Sequence, residues 1–340
     1  MPMRYWIALA ALLIRLVMAA GDVSAADDGH NAALADYRRP STTPFPDDDR
    51  YSKAKAELGR TLFFDPILSG SGSRSCASCH QPGLSWGDGL PRAIGEGQKP
   101  LALRAPTLLN IAWIPVLGWD GKFPNLEAVT FAPLTSPMNM NGNEAKLIAA
   151  LSAIPGYRTA FANAFPDGAV SRPHIEQAIA TFERTIVSPP APFDRWVAGD
   201  EQAVSAAAKR GFAIFNGKGR CAECHSGWNF TDGAFYDIGD AKDDDIGRGR
   251  IFPTSQKLQH AFKTPSLRDV AHRAPYMHDG SVATLADVID LYDRGGVDRP
   301  SRSELIGPLH LSAEEKADLI AFLHTLTSDP APFAVPELPR

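Results

Sequence analysis

Four cysteines and two histidines carry the most distinctive chemistry in this chain. Cys76-Ala77-Ser78-Cys79-His80 and Cys221-Ala222-Glu223-Cys224-His225 both read Cys-x-x-Cys-His, and together they use every cysteine in the sequence. Covalent haem attachment needs this spacing: two thiols form thioethers to the vinyl groups, and the adjoining His supplies the proximal iron ligand. A zinc knuckle or a redox Cys-x-x-Cys competes with that reading for one motif alone. Two motifs with no cysteine left over weigh heavily against it. The chain reads as a di-haem cytochrome c, with covalent haem c at Cys76 and Cys79 and at Cys221 and Cys224. His80 and His225 are the proximal ligands.

The elements that must position these motifs are mainly helical. A helix is expected from about Tyr51 to Phe63, capped by Asp48, and Ser69-Gly70-Ser71-Gly72-Ser73 turns the chain into the first motif. Ala206 to Phe215 is helical in pattern and precedes the second. Gly59-Arg60-Thr61-Leu62-Phe63 and Gly211-Phe212-Ala213-Ile214-Phe215 therefore occupy similar places before their haems, a weak internal repeat. Gln81 to Met140 is Gly- and Pro-rich with little sustained periodicity, and its Trp86, Trp113, Trp119 and Phe123 suit packing around a large flat cofactor. Helices follow near 144–153, 157–165 and 174–186, and Ser188-Pro189-Pro190-Ala191-Pro192 breaks the chain. Asp240 to Arg250 reads as a charged surface loop. The last helix starts at Ser312, with Glu315 completing a capping box, and runs to about Leu326. No run of alternating strands is evident.

Bulk properties bound the rest. At 340 residues, with 44% hydrophobic residues, two domains with sizeable cores are expected. The division is 1–25 signal peptide, 26–47 extended arm, 48–190 N-terminal haem domain, 191–330 C-terminal haem domain and 331–340 tail. A net charge of -5 without a basic stripe argues against nucleic acid and is compatible with docking a basic electron carrier. Arg4, the apolar run Trp6 to Ala20 and Val23-Ser24-Ala25 resemble an export signal, although Arg15 interrupts the run. No later stretch approaches about 18 uninterrupted apolar residues, so no membrane span is expected in the mature chain. The compartment expected is the bacterial periplasm.

Leu58 to Asp65, Ala105 to Asn110, Trp119-Asp120-Gly121 and Ala274-Pro275-Tyr276-Met277-His278-Asp279-Gly280 resemble the bacterial di-haem cytochrome c peroxidases and their relative MauG. The resemblance spans roughly Lys53 to Thr327. It implies a mainly α fold of two cytochrome-c-like domains, each carrying one haem c, with long irregular haem-packing loops. It also implies that the haem at His80 reacts with hydrogen peroxide, that the haem at His225 relays electrons, and that Trp119 bridges them.

Several positions depart from the family pattern. Glu96 stands between Gly95 and Gly97 where peroxidases carry a distal His, so the first iron should be open without prior reduction. Asn139-Met140 replaces a Glu-Met pair whose acid moves a proton between the peroxide oxygens, a step that Asn cannot perform. Val129 replaces a distal Gln. Either Glu96 or Glu144 folds in as the acid, or peroxide activation is impaired. Tyr292 matches the distal ligand of the second haem, which is Met in the peroxidases and Tyr in MauG. Phenolate favours the higher iron oxidation states, which suits a haem that stores oxidising equivalents. Bound calcium is not expected, because Arg104 stands where the family places an Asn ligand and would repel a cation. Gly219 stands where MauG passes charge out through a surface Trp.

These features imply an oxidoreductase that uses hydrogen peroxide to oxidise a protein substrate or redox carrier. One alternative is a detoxifying cytochrome c peroxidase fed by a small periplasmic electron carrier. The other is a non-catalytic di-haem electron-transfer cytochrome.

Overall fold

The computed structural model describes residues 34–242, 244–329 and 332–339. The export signal expected at 1–25 and the first part of the arm lie outside them. Helix α1 (Lys53–Phe64) begins at Ser52, whose hydroxyl accepts from the Lys55 amide, so Ser52 is the cap rather than Asp48. Next come α2 (Leu126–Thr135), α3 (Glu144–Ala153), α4 (Pro155–Ala164), α5 (Arg172–Arg184) and α6 (Pro192–Val197). The second half holds α7 (Ala206–Asn216), α8 (Leu285–Arg294) and α9 (Ala313–Thr325). One short antiparallel pair, β1 (Phe235–Tyr236) with β2 (Phe262–Lys263), lies between them, Phe235 facing Lys263.

Each half has its own core, and the two are built alike. In the first, α1 crosses α5 over Leu62, Phe63, Ile175 and Ile179. In the second, α7 crosses α9 over Phe212, Phe215, Phe322 and Leu323. Both crossings need a glycine. A Cβ on Gly59 would fall onto the Ala178 carbonyl, and one on Gly211 would fall onto the Asp318 carbonyl. The weak repeat before the two haem motifs is thus the place where paired helix backbones touch.

A second and longer repeat is visible once the fold is known. Arg104 corresponds to Lys263, Pro106 to Pro265, Trp119-Asp120-Gly121 to His278-Asp279-Gly280 and Leu126 to Leu285, with no gap. The backbone repeats with the sequence. Asn110 and its counterpart Asp269 are both left-handed, and the bridge Leu117–Phe123 recurs as Tyr276–Val282. Helix α2 is therefore the counterpart of α8. It lies within the stretch expected to be irregular, because it is apolar on most sides and carries Pro133, which leaves no helical stripe to read.

The first and last described segments are both tied to the cores. Tyr37, in the expected arm, packs against Phe193, Phe212 and Phe230, and its hydroxyl donates to Asn216 Oδ1 at 2.7 Å. Phe333, in the expected tail, stacks on Phe64 and meets Trp86 edge-on, so the C-terminal segment returns to the first core. Single anchoring aromatics in polar stretches give no periodic signal. Between the halves, the fully buried Asn110 donates to Ser188 Oγ and Asn229 Oδ1, and the latter also accepts from Ser266.

Gly211→Ala tests the second crossing. Alanine would gain up to about 1 kcal/mol in helix propensity, but overpacking against fixed backbone costs about 1–3 kcal/mol. The melting temperature of the haem-loaded protein should fall by several degrees. A rise would show that the helices do not meet at Gly211.

Candidate haem sites

Each Cys-x-x-Cys-His opens on a single tight turn, Cys76–Ser78 in one half and Cys221–Glu223 in the other. The amides of Cys79 and His80 donate to the Cys76 carbonyl at 3.1 and 3.0 Å, and those of Cys224 and His225 to the Cys221 carbonyl at 3.3 and 2.8 Å. These bonds wind the motif so that both thiols and the imidazole line the same space. Burial holds all four thiols above their usual pKa, with neighbouring carboxylates adding at three of them.

The histidines are fixed from behind. His80 Nδ1 lies 3.1 Å from the Trp86 carbonyl oxygen, and His225 Nδ1 lies 3.0 Å from that of Phe230. A carbonyl can only accept, so Nδ1 carries the proton and Nε2 keeps its lone pair for a metal. Trp86 and Phe230 both have left-handed backbones, at φ 58° and 52°, which turn their carbonyls back toward the rings. Burial pulls both imidazole pKa values down, favouring the neutral form that a ligand needs.

Both motifs open onto one continuous cavity of about 910 Å³. That is near the upper end of the range for a small-ligand pocket, about 300–1,000 Å³. Neutral imidazoles, paired thiols and an apolar wall suit two haems. Trp119 and Phe123 line this space, whereas Trp86 stands behind His80, and Trp113 meets Trp228 edge-on at 4.9 Å. Of the four aromatics expected around the cofactor, two are therefore supporting residues.

Trp119 lies where the two halves meet. Its indole Nε1 donates to the Arg104 carbonyl at 3.1 Å, and its own carbonyl accepts from the Lys263 amide at 2.8 Å. Arg248 holds the adjoining turn, donating to the Asp120 carbonyl at 2.7 Å while lying over the Phe235 ring.

Tyr292 lies on the cavity wall, on α8 with Leu285, Val288 and Ile289. The helix is capped by Thr284 and ends at left-handed Gly295. Burial and the Asp240 charge push its phenol pKa up, so ionisation there needs a strong positive partner. In the ungapped repeat its counterpart is Pro133, which also lines the cavity. Proline has no side-chain donor atom. The two halves thus present a potential oxygen ligand on one side and a bare ring on the other. The signal was present in the sequence as this repeat, which the shorter glycine repeat concealed.

Asn139 lines the cavity, as do Met138, Met140 and Met277. Glu96 is not among the lining residues; its Oε2 accepts from Ser71 Oγ at 3.2 Å. Glu144 instead pairs with Arg172 at 3.1 Å. The expected loop 240–250 is less exposed than its charge suggests, because Asp240 and Asp245 both face the buried ring of His278. The buried acid on the wall is Glu183, whose Oε2 has no hydrogen-bond partner. Burial first and Glu127 second push its carboxyl up to about 8, although Arg184 opposes them.

The chain matches the family of di-haem cytochrome c peroxidases over residues 53–202 and that of cytochrome c over residues 208–327. It is 49% identical over 310 residues to methylamine utilization protein MauG of Methylorubrum extorquens, covering 91% of this chain and 88% of that one. To the protein of the same name from Methylophilus methylotrophus it is 46% identical over 307 residues, covering 89% and 91%. A MauG-like protein associated with microbial copper homeostasis has a solved structure that superposes with a TM-score of 0.80. Identity there is 33%, covering 86% of this chain and 95% of that one.

Glu183 gives a pH test. Its folded pKa of about 8 exceeds the open-chain value of 4.5, so the folded state holds a proton that the unfolded state has lost between those limits. Its contribution is favourable below about pH 4.5 and is lost as pH rises to 8, at no more than about 1.4 kcal/mol per pH unit. Melting curves of Glu183→Gln should exceed the parent at pH 7 and converge with it at pH 4. Parallel curves at all pH values would show that Glu183 is not held neutral.

Proposed function

This chain belongs to the di-haem cytochrome c peroxidase and MauG family, and from that premise we propose how its residues divide the work. It is a c-type haem oxidoreductase of the peroxidase kind that uses hydrogen peroxide. When bound, haem iron supplies peroxide reduction and storage of the oxidising equivalents. Peroxide takes two electrons and two protons to give two waters, and the electrons come from a partner.

His80 and His225 offer Nε2 to the two irons, and Cys76, Cys79, Cys221 and Cys224 hold the haems as thioethers. Pro133, which has no donor atom, stands in the first half where Tyr292 stands in the second, so we assign peroxide entry to the His80 half. Tyr292 would hold the second iron together with His225. Trp119 couples the two. Because its N–H points at a carbonyl, which cannot take a proton, the indole keeps its proton while charge passes. Asn139 can donate a hydrogen bond to peroxide but cannot cycle a proton, and Glu96, turned toward Ser71, is not placed to do so.

The observation that carries this reading is the Tyr292–Pro133 asymmetry within a repeated framework. It favours oxidation of a partner protein, in the manner of a chain that stores oxidising power, over peroxide removal fed by a small carrier. Among the described residues no helix is long and apolar enough to cross a membrane. The compartment we propose is the periplasm, on the export-like 1–25.

Tyr292→Phe removes the oxygen and keeps the ring. Electron paramagnetic resonance and redox titration should show loss of the parent low-spin signal and a higher second-haem potential, since phenolate holds Fe(III). If neither moves, Tyr292 only fills the wall. Met277 on the same cavity wall would then favour the peroxidase reading.

Restoring an acid tests the first site. General acids typically contribute about 10²–10⁴-fold, so Asn139→Glu should speed the peroxide-dependent spectral change at least tenfold in stopped flow. No gain would mean that another group already supplies the proton.

A further inference from the structure

The ungapped repeat gives each half a cation at the equivalent place on the cavity lining. Arg104 and Lys263 are counterparts, as are Trp119 and His278, and the backbone bonds are exchanged between the halves. The Arg104 amide donates to the His278 carbonyl at 3.1 Å, and the Lys263 amide donates to the Trp119 carbonyl at 2.8 Å. A third cation, Arg273, joins them, because Arg104 Nη2 donates to its carbonyl at 2.9 Å.

All three side chains line the cavity between the haem motifs, and among the described residues none of them makes an ion pair. Arg104 Nε and Arg273 Nε are buried without any partner. Asp88, Asp232, Asp269 and the Tyr276 hydroxyl act on the three only through space. Burial first, then repulsion from Arg273, pulls the Lys263 ammonium down to about 8. Clustered, half-buried cations without a direct ion pair are costly, and a fold keeps them when an anion completes the site. Guanidinium groups with free N–H donors are suited to planar carboxylates.

We propose that Arg104, Lys263 and Arg273 form one carboxylate-binding site that takes propionate groups of the two haems and fixes the charge around Trp119. Arg104 and Lys263 stand in equivalent places, so each half contributes one clamp, and the exchanged backbone bonds lock the clamps to the Trp119 turn. The propionates neutralise cations that would otherwise oppose positive charge on the indole.

The inference rests on the two-haem reading, and the test separates the two. Intact mass of protein matured with haem counts the additions; fewer than two in the parent would sink that reading alone. With two present, spectroelectrochemistry follows each midpoint potential. Losing a nearby positive charge disfavours the added electron, so Arg104→Met and Lys263→Met should each shift at least one haem downward, and Lys263→Arg should stay at the parent values. Unchanged potentials in both Met variants, each carrying two haems, overturn the proposal. If Lys263→Met fails to mature, Lys263→Arg decides: two haems at parent potentials support the clamp, and an equal failure to mature overturns it.

Discussion

Two hydrogen bonds commit this fold to its chemistry: an imidazole Nδ1–H to the Trp86 carbonyl, and its equivalent to the Phe230 carbonyl. Each bond fixes a tautomer, and the tautomer fixes which nitrogen faces the cavity. Everything behind the histidines supports that choice. Trp86 is held against Phe63 and Phe182 in the first core, and Phe230 against Phe193 and Phe322 in the second. Left-handed backbones at both anchors carry strain that the packing of these aromatics offsets.

The central cavity is shared, so the halves are not independent modules. Arg104 and Lys263 exchange backbone bonds with His278 and Trp119, and Asn110 joins Ser188 to Asn229 in a buried polar link. Such networks are costly when half satisfied and rigid when complete. Divergence within the repeat then makes the halves unlike: Trp119 against His278 at the crossing, and Pro133 against Tyr292 on the walls.

The sequence was informative where chemistry imposes a fixed local spacing. The two haem motifs and the Ser312–Glu315 capping box could be read directly, because each depends on residues within one or two turns. Helix α2 was not legible, since burial on several sides erases the stripe that reveals a helix. Nor were the anchors Tyr37 and Phe333, where one aromatic in a polar segment finds a distant core. The Asp240–Asp245 charges suggested a solvated loop, yet they enclose His278.

Composition and spacing by themselves determined the helical class and the haem c type of cofactor, and they singled out the cysteines and histidines proposed to hold it. Those properties follow from covalent reach and helical period, which act over a few residues. Only the tertiary structure decided which side chains share the cavity. It set Glu96 toward Ser71 and Glu183 on the wall, and it brought Arg104, Lys263 and Arg273 together around Trp119. Residues far apart in the chain meet there because two helix crossings, each closed over a glycine, leave a cofactor-sized gap between the cores. No local pattern records a gap that packing creates.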